Sequence, residues 1–279
     1  MLKQRVITAL VLLALLLPAV FAPAAEPLAG LTLVLMAAAA WEWGRLNGFG
    51  MRASLRLAAL CLMLCLWTWH RGWAYHASFD IWPVAASAWV LAGAWLIHRG
   101  VPVWGQLSRW LRLLMGLLML WLAWWALYRS KVLGINFLLS VLTLVWMADV
   151  AAYFAGRAFG RRKLAVHISP GKSWEGVWGG MVGVLLLGTA WLWADAQWGF
   201  DGPSLYTRLA LQSPIHLVLG TVLLVAMSVV GDLVESLVKR SAGMKDSSQL
   251  LPGHGGVLDR VDALLPTLPL ALMLAQAGA

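Results

Sequence analysis

Charge is what this sequence lacks most. Only 12% of its 279 residues are charged, while 61% are hydrophobic. Soluble domains carry roughly a quarter charged residues. So few polar side chains cannot coat a water-soluble surface, which excludes an ordinary soluble domain. Cysteine is scarce as well. Cys61 and Cys65 are the 2 present, in one apolar run. They share a helix face, and with no further ligands nearby they give neither a disulfide framework nor a metal pair. There is no solenoid-type repeat and no long disordered tail.

What is abundant is apolar sequence in runs long enough to cross a hydrocarbon core about 30 Å thick. The spacing predicts an all-α polytopic membrane protein with about nine transmembrane helices. Their cores are Val6–Phe21, Leu28–Ala40, Ala53–Trp69, Ile81–Ile97, Leu111–Leu127, Val132–Ala148, Gly176–Ala194, Ile215–Val230 and Leu264–Ala277. The "APA" at Ala22–Ala24 admits a signal-peptide reading of the first run. Pro18 inside that run and the many spans after it favour an uncleaved anchor. Residues 1–148 form an N-terminal membrane region, and residues 149–279 form a C-terminal region with the chemistry.

The net charge of +9 raises the question of nucleic acid. Its placement answers it. With the N-terminus cytoplasmic, Arg71, Arg129, Lys131 and Arg208 fall outside, and the other 17 of the 21 basic residues fall inside. Such a bias is the positive-inside signature, so the basicity reflects topology and implies no nucleic-acid partner. Tryptophans such as Trp41, Trp43, Trp67, Trp69, Trp124 and Trp125 crowd span ends, as interfacial anchors do.

Seven of the 12 acids sit in two polar stretches on the expected cytoplasmic side. Ionisable groups at membrane depth are costly, so their clustering marks function. The first stretch, Asp149 to Gly180, contains "GRRKL" and "SPGKS". Lys172 between Ser169 and Ser173, in a glycine-containing turn, suits a phosphate. It is not a P-loop, because Val166 stands where the first glycine is needed. Arg161, Arg162 and Lys163 suit a topology-setting loop as well as they suit a ligand.

The second stretch runs from Gly231 to Pro266. Asp232, Glu235, Ser236, Lys239 and Arg240 fall on one helix face, a polar stripe on an otherwise apolar helix. A Glu235–Lys239 ladder of a few tenths of a kcal/mol accounts for two of them. It leaves Asp232 unexplained, along with the charges that follow. Those are Lys245 and Asp246, then "LPGHGGVLDRVD" with His254, Asp259, Arg260 and Asp262. Carboxylates from two helices among cations suit Mg²⁺, which takes one or two carboxylates and completes its shell with phosphates and water. Gly253, Gly255 and Gly256 let backbone approach a ligand closely. Together these residues make a phosphoryl- or nucleotidyl-transfer kit.

The stretch "SLVKRSAGMKDSSQLLPGHGGVLDRVD", Ser236 to Asp262, resembles the signature of phosphatidate cytidylyltransferases, or CDP-diacylglycerol synthases. "ISPGKSWEG" and "DVAAYFAGRAFGRRKL" resemble other stretches of that family. The likeness covers Asp149 to about Leu265 and departs mildly at Ala263, where many members carry serine. It implies a bacterial-type inner-membrane enzyme with a cytoplasmic active site, acting on CTP and phosphatidic acid. It also implies Mg²⁺, a second monovalent ion such as K⁺, and a homodimer. By the same resemblance Asp232 and Asp259 hold metal, and Lys239, Arg240, Lys245, His254 and Arg260 surround phosphates. Asp246 and Asp262 join the candidate catalytic set as metal ligand, support for a ligand or helix cap, and Ser169, Lys172, Ser173, Gly255 and Gly256 are the candidate phosphate-binding group. The alternative within enzymes is a CTP-dependent polyprenol or phytol kinase, which releases CDP instead of pyrophosphate. A transporter would scatter polar residues through mid-span positions, whereas here they gather at one face.

Overall fold

The computed structural model describes residues 2–76 and 80–276. In chain order the helices are α1 (Leu2–Phe21), α2 (Glu26–Leu46), α3 (Met51–His70), α4 (Trp73–His76), α5 (Trp82–Arg99), α6 (Val101–Gln106), α7 (Arg109–Leu133) and α8 (Ile135–Phe159). A hairpin of β1 (Lys163–Ala165) and β2 (Ser169–Ser173) follows. Then come α9 (Trp174–Gln197), α10 (Leu205–Gln212), α11 (Pro214–Ser241), α12 (Leu258–Val261) and α13 (Leu264–Gln276). The protein is thus nearly all-α. The antiparallel hairpin, with Lys163 opposite Ser173, is the exception to the all-α expectation. Its glycine and proline disfavour helix, and its backbone groups pair with each other instead.

Among the described residues, 7 helices are long and apolar enough to cross a membrane: α1, α2, α3, α7, α8, α9 and α11. The two other expected spans differ for separate reasons. α5 has 18 residues, but three tryptophans, Pro83, His98 and Arg99 dilute its apolar character. α13 has 13 described residues, about 20 Å of helix; the expected end at Ala277 lies outside the described residues. Instead of facing lipid, α13 buries Leu265, Leu268, Leu270, Ala271 and Leu272. It packs against α5, α7 and α11, so the C-terminal helix threads back into the first half. Large apolar side chains on α1 and α9, such as Leu10, Val182 and Leu186, are exposed, as a lipid-facing surface requires.

Several tryptophans expected at interfaces are core residues. Trp43, Trp124 and Trp125 are 1%, 0% and 0% exposed. The indole N–H of Trp124 donates to the Ala29 carbonyl at 3.0 Å, and that of Trp43 to Arg112 at 2.8 Å. The Trp43 and Trp124 rings fill the space between α2, α3 and α7, and their N–H groups find these backbone acceptors. Cys61 and Cys65 are free and buried in the same region.

Two packing features position the polar stretches. The first is the seam between α8 and α9. A Cβ on Gly179 would lie 2.1 Å from Ala155 Cβ, and one on Gly183 would lie 2.6 Å from Ala151 Cβ. Only small residues permit such an approach. The second is serine capping: Ser173 and Ser213 accept the N–H groups of Gly176 (3.2 Å) and His216 (3.1 Å), starting α9 and α11. At the opposite end, Asp201 accepts the Asn136 N–H at 3.0 Å at the start of α8. This acid belongs to the scaffold.

Candidate active site

The hairpin delivers the first site residue. Glu175, at the start of α9, accepts the backbone N–H groups of Arg161 and Arg162, each at 3.1 Å to Oε2. The Arg162 side chain pairs with it at 3.3 Å. These bonds fix the turn into β1, giving part of the basic cluster a structural task. Arg240 donates through Nε to the Ile168 carbonyl (3.4 Å) and through Nη1 to Met244 (3.2 Å), tying the hairpin to the end of α11. Lys172 on β2 then reaches Asp232 of α11, Nζ to Oδ2 2.7 Å. The pair lies in a cleft of about 330 Å³ between α8, α9, β2 and α11. Ala148, Ala152, Val177 and Val229 make its apolar walls, and Asp149, Arg157 and Ser173 add polar ones.

One turn along α11, Glu235 pairs with Lys239, and Lys239 Nζ also binds Asp259 Oδ1 at 2.6 Å. The Glu235–Lys239 pairing read from the spacing is present, but it is buried and shared with a third residue. The Glu235, Lys239 and Asp259 side chains are 2%, 12% and 8% exposed. Asp259 Oδ2 accepts from the backbone N–H and hydroxyl of Ser247, both at 2.9 Å, and from Gly256 N–H at 2.8 Å. Burial alone would raise this carboxyl. The ammonium and the donors outweigh it and hold it at about 2. Asp262 shows the opposite balance. Burial and then the charge of Asp232 push it up to about 7, although its Oδ1 accepts the Ala263 N–H at 2.7 Å.

The loop that carries Asp259 is fastened from the far half of the chain. Glu42 of α2 is 0% exposed. Its Oε1 accepts from Ser248 Oγ (2.5 Å) and Val257 N–H (3.0 Å). Its Oε2 accepts from Ser247 Oγ (3.1 Å) and Leu258 N–H (2.7 Å). Gly256 serves this closure, its N–H already given to Asp259, and Gly255 makes the tight turn before it. Gly255 has φ +84°, and a Cβ on Gly256 would lie 2.0 Å from Ser247 Oγ and 2.5 Å from Glu42 Oε1. Arg260 turns inward on the loop too, its Nε donating to the His254 carbonyl at 3.1 Å. His254 Nδ1 is buried with no hydrogen-bond partner among the described residues.

A divalent cation can be tested against these donors. Asp232, Glu235, Asp259 and Asp262 share the region with Lys172 and Lys239. Carboxylates outnumber ammonium groups, and Glu235 Oε1 is buried without a hydrogen-bond partner among the described residues. That acid excess fits a divalent ion. Among the described residues Asp232 accepts only Lys172 and, at 3.1 Å, the Ser236 hydroxyl, so its oxygens retain acceptor capacity. Asp259 has none to spare, because Lys239, Ser247 and Gly256 already fill about four acceptor positions. Among the described residues no three His, Cys, Asp or Glu side chains form a complete cage. Mg²⁺ does not need one, since phosphates and water complete its shell.

The model of the cytidylyltransferase family matches residues 3–277. This chain belongs to the cytidylyltransferase family. It is 41% identical over 284 residues to the curated phosphatidate cytidylyltransferase of Pseudomonas aeruginosa, covering 100% of this chain and 98% of that one. The phosphatidate cytidylyltransferase of Haemophilus influenzae is 51% identical over 136 residues, 49% of this chain and 44% of the relative. That of Bacillus subtilis is 39% identical over 139 residues, 49% and 46% of the two chains.

In this cytidylyltransferase the sequence-singled residues divide into groups. Asp232, Lys172 and Ser173 meet at the cleft. Lys239 and Asp259 form the buried pair behind it, with Gly255 and Gly256 closed around them. Arg240, His254 and Arg260 hold loops through backbone carbonyls. Lys245 and Asp246 line a second cavity, and Ser169 opens β2 opposite Ala165. Glu42 was missed. Its signal was a lone acid two residues past the predicted core Leu28–Ala40, a costly place for a charge without a partner.

Proposed function

We propose that this cytidylyltransferase joins CTP to phosphatidic acid, forming CDP-diacylglycerol and pyrophosphate for phospholipid synthesis. The observation that carries the reading is the full-length kinship with a phosphatidate cytidylyltransferase. The cleft suits it: apolar walls from membrane helices end at a lysine–aspartate pair. A phosphatidate oxygen attacks the α-phosphorus of CTP. The bond from that phosphorus to the bridging oxygen breaks, and pyrophosphate leaves with the electron pair. Phosphatidate is ionised at neutral pH, so no strong base is required. The obstacle is repulsion between two polyanions. Lys172 is placed to move from Asp232 to a phosphate, while Lys239 keeps the buried acids Glu235 and Asp259 in place. Asp232 is the residue that would hold Mg²⁺, which when bound would neutralise phosphate charge. A monovalent ion such as K⁺ belongs to the same reading.

The proposal extends to a homodimer in a bacterial-type inner membrane, with nine spans when α5 and α13 are counted. The N-terminus and active site face the cytoplasm, where CTP is. The 17-to-4 distribution of basic residues supports this orientation. The test is product analysis with purified protein, CTP, Mg²⁺ and phosphatidate in mixed micelles. Pyrophosphate with CDP-diacylglycerol is expected. Release of CDP with a phosphorylated lipid alcohol would replace the reading with a lipid kinase.

A further inference from the structure

A second cavity, about 400 Å³, lies between the end of α2 and the loop after α11. Trp41 and Arg45 line it from α2, and Lys245, Asp246, Ser248 and Gln249 from the loop. Arg45 lies 5.2 Å over the Trp41 ring. Neither Arg45 nor Lys245 has an ion pair among the described residues. The cavity is built rather than incidental. Glu42, one residue after Trp41, binds Ser247 and Ser248 from within and clamps the loop against α2. Its floor adjoins the acid-bearing turn: a Cβ on Gly255 would lie 3.6 Å from Asp246 Cβ and 2.8 Å from Asp259 Oδ2.

Two cations without an ion pair outweigh the one carboxylate of Asp246, and with the Trp41 indole and the Gln249 amide they suit a planar ring carrying several anionic groups. The cleft at Asp232 has apolar span walls and suits a lipid phosphate instead. We infer that the Trp41–Arg45–Lys245 cavity docks the soluble nucleoside triphosphate, with Arg45 and Lys245 on phosphate oxygens and the base against Trp41. This rests on the proposed function and deepens it by separating the two substrates. Lys245 was already expected at phosphate; Trp41 and Arg45 are new.

The test uses full-length protein in detergent with Arg45→Ala and Trp41→Leu, both at partly or fully exposed positions. Binding of radiolabelled CTP with Mg²⁺ is measured by equilibrium dialysis without lipid, and initial rates are measured with CTP and phosphatidate varied separately. Losing one charge-assisted contact should weaken CTP binding and raise its KM about tenfold or more. The kcat and the phosphatidate KM should stay within about twofold, and Arg45→Lys should recover part of the loss. Unchanged CTP binding and KM in both folded variants would overturn the inference. A rise confined to the phosphatidate KM would also overturn it, assigning the cavity to the lipid headgroup. If wild type neither binds nor consumes CTP, the proposed function fails and this inference with it.

Discussion

Replacing Glu42 by glutamine probes the fastening of the Asp259 loop with little change in volume. Each carboxylate oxygen of Glu42 accepts from one backbone N–H and one serine hydroxyl. Whichever oxygen becomes the amide NH₂, one backbone N–H loses its acceptor and one serine hydroxyl faces a donor, although Ser247 keeps Asp259 as an acceptor. The hydroxyl can rotate and accept instead. The N–H of Val257 or Leu258 cannot, and both residues are buried. An unsatisfied buried donor costs about 1–3 kcal/mol. Taking about 2 kcal/mol, the properly closed loop loses roughly 30-fold in relative population. Glu42→Gln should therefore lower kcat/KM by one to two orders of magnitude and lower the melting temperature in detergent. Ser247→Ala should cost less in the Glu42→Gln background than alone, because both act through one contact. Wild-type melting and activity within twofold in Glu42→Gln would refute this account of the loop.

Lys239→Met strands Glu235 and Asp259 without their shared cation; breaking a buried pair costs about 3–5 kcal/mol. Little monodisperse protein should survive size-exclusion chromatography, and adding Glu235→Gln should recover part of it. Gly179→Ala forces a methyl group into Ala155, an overpacking of about 1–3 kcal/mol. The melting temperature should fall and should return in the Gly179→Ala, Ala155→Gly double variant. Asp259, held at about 2 in the fold, ordinarily titrates near 3.9. A depressed carboxyl stabilises above its ordinary value, and that stabilisation is lost as pH falls from about 4 towards 2. Ser247→Ala removes a donor to Asp259, so circular dichroism should show acid unfolding at higher pH than wild type.

Membrane character was legible because it depends on composition over long windows, and α2, α3, α7, α8, α9 and α11 lie where apolar runs predict them. Span number was less legible. Apolar sequence does not separate a helix facing lipid from one packed inside protein, as α13 illustrates. The same ambiguity moved Trp43, Trp124 and Trp125 from the expected interface to the core. Within the site, helical periodicity placed Asp232 and Lys239 on one face. It could not tell that Lys239 is shared with Asp259, a pairing made across a loop. Glu42 lies more than 200 positions from the loop it binds. Local pattern carries no information about such a partner.

The α8–α9 seam also sets where the cleft can yield. Backbones that touch through glycine and alanine have no long side chains to re-pack, so this wall has almost no compliance. Asp149 on one helix and Ser173 at the head of the other are therefore held at a fixed spacing. Any widening of the cleft must come from the opposite wall, where the hairpin meets α11. That contact is made by Lys172 with Asp232 and by Arg240 with the Ile168 carbonyl. Mechanically the cleft sets a close-packed wall against one held by single side-chain contacts, the ion pair among them.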